Sequence, residues 1–186
     1  MSREANQYIR VFSGRKFWPL DPRPDEIDIV DIAHSLSNNC RWGGHSRWFY
    51  SIAQHCCMVH DLLPVRSQRA GLLHDASEAY ILDMPRPIKY QMPEYQEIER
   101  HLMYAIRAKF GFNITEDVKG ADDLALYVEK QSLFSSPARE VLTDRAVDFY
   151  FHRRIDADQW YRHPVEAWSP ATARYEFLER FHNLPQ

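Results

Sequence analysis

Apolar residues recur along this chain at the three- and four-residue spacing of a helix face, and a proline or glycine ends most runs before they grow long. Ile27, Val30, Ile32, Ala33 and Leu36 make one such stripe, introduced by Asp25 or the prolines before it and reaching about Asn38. Phe49, Ile52, Cys56, Val59 and Leu63 make a second, predicting a helix over 46–63 that Pro64 stops. Ser67 is placed to cap the next helix, anchored by Leu72 and Leu73 and carried through Glu78. Pro93 opens another, with Ile98, Leu102, Ala105, Ile106 and Lys109 on its inner face and Gly111 as its stop. A helix from Thr115 to about Phe134 carries Val118, Ala121, Ala125 and Val128, and Ser169-Pro170 begins a last one to about Asn183. The expected class is all-α, a helical bundle. Extended signals lie near the start, where Tyr8–Phe12 and Phe17–Leu20 flank Ser13-Gly14-Arg15-Lys16 as a small β-hairpin. Asp83–Lys89 is expected to be a stiff, extended loop because of Pro85 and Pro87, and 138–168 short helical pieces and loops.

At 186 residues the chain fits a single domain over 1–186. Its 45% hydrophobic and 26% charged residues exclude disordered and collagen-like classes. No apolar run approaches the roughly 18 residues of a membrane span, and the N-terminus lacks the apolar core of a signal peptide. Three cysteines, two of them adjacent at Cys56-Cys57, read as reduced thiols, so the expected location is the cytoplasm. A net charge of −3 offers no general attraction to nucleic acid or to anionic membranes. The nine histidines are the natural pool of metal ligands.

Among them, His74 is joined to Asp75 in Leu72-Leu73-His74-Asp75-Ala76-Ser77-Glu78. On a continuous helix Glu78, four residues past His74 and three past Asp75, would share their face. His55 lies three residues after Ile52 and four before Val59, turned toward the core margin, and Asp122 sits one step off the stripe of its helix. Asp123 competes with Asp122 for that place. Two imidazoles and two carboxylates suit a divalent transition ion such as Co, Mn, Zn, Ni or Fe better than Ca or Mg. Water on such an ion is a nucleophile near neutral pH. Plainer roles exist for each residue: a satisfied core histidine for His55, a surface helix position for Glu78, a surface cation for Arg41 and a core plug for Trp42. Cys40, Cys56, Cys57, His45 and His60 lack zinc-finger spacing and read as core filling. The sequence offers no partner for His101, His152, His163 or His182.

The order His55, His74-Asp75, then Lys119-Gly120-Ala121-Asp122 resembles the HD-domain metal-dependent phosphohydrolases, which are all-helical. Arg41-Trp42, Ser51–His55, His74–Glu78 and Asp83–Lys89 further resemble, in order and spacing, the bacterial deoxyribonucleoside 5′-monophosphate phosphatases of that superfamily. The likeness covers about 20–135. The N-terminal hairpin and the aromatic C-terminal third, with Phe149, Tyr150, Phe151, Trp160, Tyr161 and Trp168, look more like a phage or prophage subgroup.

The resemblance implies that His55, His74, Asp75 and Asp122 hold one metal ion and that Asp75 also orients the attacking water. It implies proton transfer by Glu78, with Asp83 at the sugar or assisting, and phosphate contacts from Arg41 and more weakly Lys89. Trp42 would lie against the sugar and exclude a ribose 2′-hydroxyl. The implied activity is a 5′-nucleotidase acting on a small-molecule nucleotide, with no stable nucleic-acid partner, no membrane and a homo-oligomeric state. A deoxynucleoside triphosphate triphosphohydrolase of phage type is the alternative, with Arg47, Arg86 and Arg139 as further cations. A non-catalytic nucleotide-binding module is the third expectation.

Overall fold

The computed structural model describes residues 7–134, 143, 145, 146, 149 and 165–185, and the chain it shows is mostly helical with one two-stranded sheet. Strands β1 (Ile9–Arg10) and β2 (Lys16–Phe17) pair antiparallel, Ile9 opposite Phe17 and Arg10 opposite Lys16, as the hairpin reading expects. Phe17 reaches inward and stacks on Tyr80. Ser13 tethers the turn by donating through its N–H and hydroxyl to the buried Asp31.

Helix α1 (Ile29–Asn38) is capped by Asp28, whose side chain accepts from the Val30 N–H. Asp25 instead sits in a separate 3-10 turn at Pro24–Glu26, and Val30 is exposed, so the predicted start and stripe both shift. The helix expected over 46–63 is shorter. Helix α2 (Ile52–Leu62) starts at Ser51, which caps it by accepting from the Gln54 N–H. The preceding stretch is drawn into non-helical pairing instead, Ile52 N–H to Asn39 O and Arg41 N–H to Tyr50 O, which leaves Phe49 exposed.

Ser67 caps nothing: helix α3 (Val65–Leu72) begins at Pro64, and Ser67 lies buried inside it. His74 and Asp75 are not helical either. They occupy a run of tight turns, Ala76 N–H to Leu73 O and Glu78 N–H to Asp75 O, before the short helix α4 (Glu78–Ile81). Leu82 then takes a positive φ of 69°, a conformation strained for a side chain of this kind, and redirects the chain. The expected extended loop holds a turn of helix, α5 (Arg86–Lys89), because Pro87 is tolerated in a first turn.

Helices α6 (Pro93–Phe110) and α7 (Glu116–Leu133) match their predicted bounds, except that Lys109 is exposed. Gly111 ends α6 in the left-handed conformation that glycine adopts without strain. Helix α8 (Pro170–His182) is capped by the Ser169 hydroxyl, as its sequence indicates. The readings for Arg139, Tyr150, Phe151, His152, Trp160, Tyr161 and His163, and most of 138–168, fall outside the described residues.

Helix α2 is the hub, packed against α1, α3, α7 and α8. Its residues from Ile52 to His60 are all buried, with Ala53, Cys56 and Cys57 small enough for neighbours to approach closely. The buried apolar side chains form one connected cluster. That packing carries His55 inside, with α7 on one side and the turns after α3 on another. No described helix is long and apolar enough to cross a membrane.

Candidate metal centre

His55 projects from the middle of α2 with no exposure to solvent, and His74 and Asp75 reach it from the tight turns after α3. Asp122 comes across from α7. The His55 Nε2 atom lies 3.1 Å from Asp122 Oδ1, 3.2 Å from His74 Nε2 and 3.6 Å from Asp75 Oδ2. His74 Nε2 lies 3.3 Å from Asp75 Oδ2 and 3.7 Å from Asp122 Oδ1. Ligands about 2.0–2.2 Å from a shared ion stand roughly 3–3.5 Å apart, and the ligand atoms of His55, His74 and Asp75 all lie within 4.8 Å of one another, a spacing that suits one small cation, with Asp122 Oδ1 beside the two imidazoles.

The hydrogen bonds behind the rings decide which atoms face inward. His55 Nδ1 is 2.5 Å from Glu129 Oε1, and His74 Nδ1 is 2.7 Å from the Gly71 carbonyl. Both acceptors demand the Nδ1–H tautomer, which turns the Nε2 lone pairs toward the centre. With both rings neutral, the Nε2 atoms then meet the two carboxylates as acceptors, with no donor among them. The ligand atoms of His55, His74 and Asp75, with Asp122 beside the two rings, are of the kind a divalent metal ion takes.

The electrostatics point the same way. Burial pushes the Asp122 carboxyl up, but its hydrogen bonds to His55 and His74 outweigh that and hold it well below the usual carboxylate range. Asp75 is likewise lowered, burial being outweighed chiefly by His74. His74 is raised well above its ordinary value because Asp75 and Asp122 overcome burial. Positive charge is wanted at this point.

Asp75 and Asp122 also line a cavity of about 450 Å³, together with Arg41, Trp42, Glu78, Asp83, Arg86, Lys89 and Lys130. Glu78 shares this space with Asp75 although no helix joins them, since the turns bring it there. Its Oε2 is buried without a hydrogen-bond partner. Burial, then Asp75 and Asp83, raise its carboxyl well above the ordinary value, so it favours the protonated form. Asp83 is raised mainly by burial.

Arg41 and Trp42 occupy a turn over Arg41–Gly44 in which Trp42 has φ 62° and Gly43 φ 57°. The Cys40–Ser51 bridge closes its base. Arg41 Nε donates to Glu129 Oε2 at 2.9 Å, while Nη1 and Nη2 stand 3.6 Å from Asp75 and 4.0 Å from Asp122. Trp42 packs edge-on against Phe134. Lys89 reaches the cavity but is ion-paired with Glu99.

Asp123 turns away to Thr143 and Arg145, whereas Asp122 Oδ1 lies beside His55 and His74. Arg47 is also elsewhere, donating to Ser132 O and lying over the Trp48 ring. Cys40 and His45 are exposed and not core filling. Cys56 and Cys57 are buried, and burial pushes the Cys56 thiol up to about 11. His101 has a partner after all, Glu97 one helical turn back.

Glu129 was not legible as part of this site. It is fully buried and touches His55, Arg41, Trp42 and Tyr50. The available signal was its place two helical turns beyond Asp122, seven residues on and hence on the same face of α7.

No family model matches the chain. A protein of Escherichia coli K12, "Uncharacterized protein YfdR", is 41% identical over 181 residues, covering 96% of this chain and 96% of its own length. A Rhodobacter capsulatus protein, "Uncharacterized protein RCAP_rcc00048", is 34% identical over 140 residues, covering 67% of this chain and 71% of its own.

Proposed function

The chain belongs to the same family as YfdR of Escherichia coli, and we propose that it is a metal-dependent phosphohydrolase of the HD type, a 5′-nucleotidase for deoxyribonucleoside 5′-monophosphates. The observation that carries this reading is the acceptor-only cluster of His55, His74, Asp75 and Asp122 opening onto a cavity with cationic walls. A divalent transition ion held by those four residues would supply a Lewis acid for the phosphoryl group and an acidified water to attack it.

The remaining chemistry belongs to the chain's own side chains. Asp75 faces both the cluster and the cavity, where its carboxylate orients the attacking water. Arg41 presents Nη1 and Nη2 toward that side, a planar fork suited to two phosphate oxygens. Glu78, buried and favouring its protonated form, gives its proton to the leaving 5′ oxygen. Asp83 faces the sugar end of the same cavity, and Trp42 walls it where a ribose 2′-hydroxyl would have to fit. Lys89 stands at the rim, its charge shared with Glu99.

Arg86 and Lys130 on the same cavity favour a second reading, hydrolysis of a deoxynucleoside triphosphate with release of triphosphate. Of the other arginines expected to serve it, Arg47 lies outside the cavity and Arg139 outside the described residues. Incubation with dAMP and with dATP, in the presence of Mn²⁺ or Co²⁺, separates the two. Phosphate from dAMP supports the nucleotidase, and inorganic triphosphate from dATP supports the alternative. Turnover of neither, with metal bound, leaves a non-catalytic nucleotide-binding module.

A further inference from the structure

Glu129 has no exposure to solvent, yet both of its carboxylate oxygens are saturated. Oε1 accepts from His55 Nδ1 at 2.5 Å and from the Tyr50 hydroxyl at 3.0 Å. Oε2 accepts from Arg41 Nε at 2.9 Å and from the Trp42 indole N–H at 3.2 Å. The division is by role: one oxygen serves a metal-ligand ring, and the other serves the two residues turned to the substrate cavity.

We infer that Glu129 is a positioning residue that locks the metal ligand His55 and the substrate-facing pair Arg41 and Trp42 into one rigid unit. The substrate half rests on the phosphohydrolase reading; the metal half does not. A local reason makes the lock necessary. Trp42 is held in a left-handed backbone conformation that a tryptophan adopts only when its surroundings impose it, and its indole bond to Glu129 is such a restraint. An electrostatic reason adds to it. Arg41 already stands within 4.0 Å of both Asp75 and Asp122, so a guanidinium released by Glu129 would swing onto them and compete with the cation.

Glu129→Gln tests this, because an amide offers acceptor lone pairs on one side only and sets an NH₂ against two donors on the other. The first readout is a Mn²⁺ titration followed by electron paramagnetic resonance, with no substrate present. Affinity is expected to fall about 10–100-fold, the usual effect of removing a partner behind a metal ligand. Affinity within about twofold of the unmodified protein overturns the metal half.

The second readout is the ratio of kcat/KM for dAMP over AMP, expected to fall in Glu129→Gln. Trp42→Phe keeps an aromatic ring but loses the N–H to Glu129 together with the pyrrole half of the indole, and it can be measured even if the buried Glu129 substitution fails to fold. Trp42→Phe should bind Mn²⁺ normally and discriminate less between dAMP and AMP. An unchanged ratio there overturns the substrate half. Because the titration uses no nucleotide, an inactive protein whose Glu129→Gln variant still loses Mn²⁺ refutes the phosphohydrolase reading while upholding the metal half.

Discussion

The Nε2 atoms of His55 and His74 face each other 3.2 Å apart, and with both rings neutral neither has a proton to offer the other, since each Nδ1–H is spent, on Glu129 and on the Gly71 carbonyl. Lone pairs so placed, beside two carboxylate oxygens, require a proton or a metal cation between them.

That competition gives a pH dependence. His55 is raised above its ordinary value, burial and Arg41 being outweighed by Glu129 and Asp122, and His74 is raised further, chiefly by Asp75. A raised imidazole stabilises the fold fully below its unfolded value near pH 6.5, and that contribution disappears as pH rises through the folded value. Metal-free protein should therefore lose stability across this window. Metal binding needs neutral imidazoles, so the Tm gain from Mn²⁺ should be larger at about pH 8.5 than at about pH 6. Equal gains at both would show that the histidines are not ligands.

Asp122→Asn and Asp123→Asn form a matched pair on adjacent positions of α7. The first removes a ligand whose Oδ1 touches both histidines, and Mn²⁺ affinity should drop by more than about tenfold, with activity lost alongside. The second alters a residue facing Thr143 and Arg145, and metal content should be retained. Asp75→Asn should behave like the first. The reverse pattern would put the ion on the other face of the helix.

Glu78→Gln should keep metal and lose about 10²–10⁴-fold in kcat, since the amide has no proton to give the leaving group. The residual rate should also lack the alkaline decline that ionisation of Glu78 imposes. Stability gives a separate check. Glu78 is raised by burial, Asp75 and Asp83, so its contribution is present at low pH and lost as pH rises through the folded value. The glutamine variant should accordingly outlast the unmodified protein in alkaline melts of metal-free protein. A variant of unchanged kcat would remove Glu78 from the chemistry.

The sequence was most legible where periodicity and punctuation agree. Pro93 and Gly111 bracket α6, Ser169-Pro170 opens α8, and the hairpin forms around Ser13–Lys16. It was least legible around 46–51 and 73–77. There the backbone spends its hydrogen bonds on a bridge and on four-residue turns, which side-chain spacing does not report. That His55, His74, Asp75 and Asp122 lie close together was expected from their order along the chain. Glu129 was not, because a lone glutamate on an amphipathic helix reads as surface until the donors around it are seen.

Gly71→Ala probes how closely α2 and α3 must approach to support the centre. A Cβ at this position would lie 2.3 Å from Leu63 Cδ1 and 3.4 Å from both Val59 O and His60 Cα. The variant should lose about 1–3 kcal/mol of stability, and its Mn²⁺ affinity should fall because the Gly71 carbonyl orients His74. Adding Leu63→Ala should make the Gly71 substitution less costly than it is alone. Strict additivity in denaturant melts would mean that the two sites do not touch.

The whole reading turns on one cation shared by residues from α2, the turns after α3, and α7. Crystals grown with Mn²⁺ and recorded near its absorption edge would locate that cation by anomalous scattering. One peak is expected, about 2.0–2.3 Å from His55 Nε2, His74 Nε2, Asp75 Oδ2 and Asp122 Oδ1. A fully loaded crystal with its peak elsewhere, or with none at these four atoms, would contradict it.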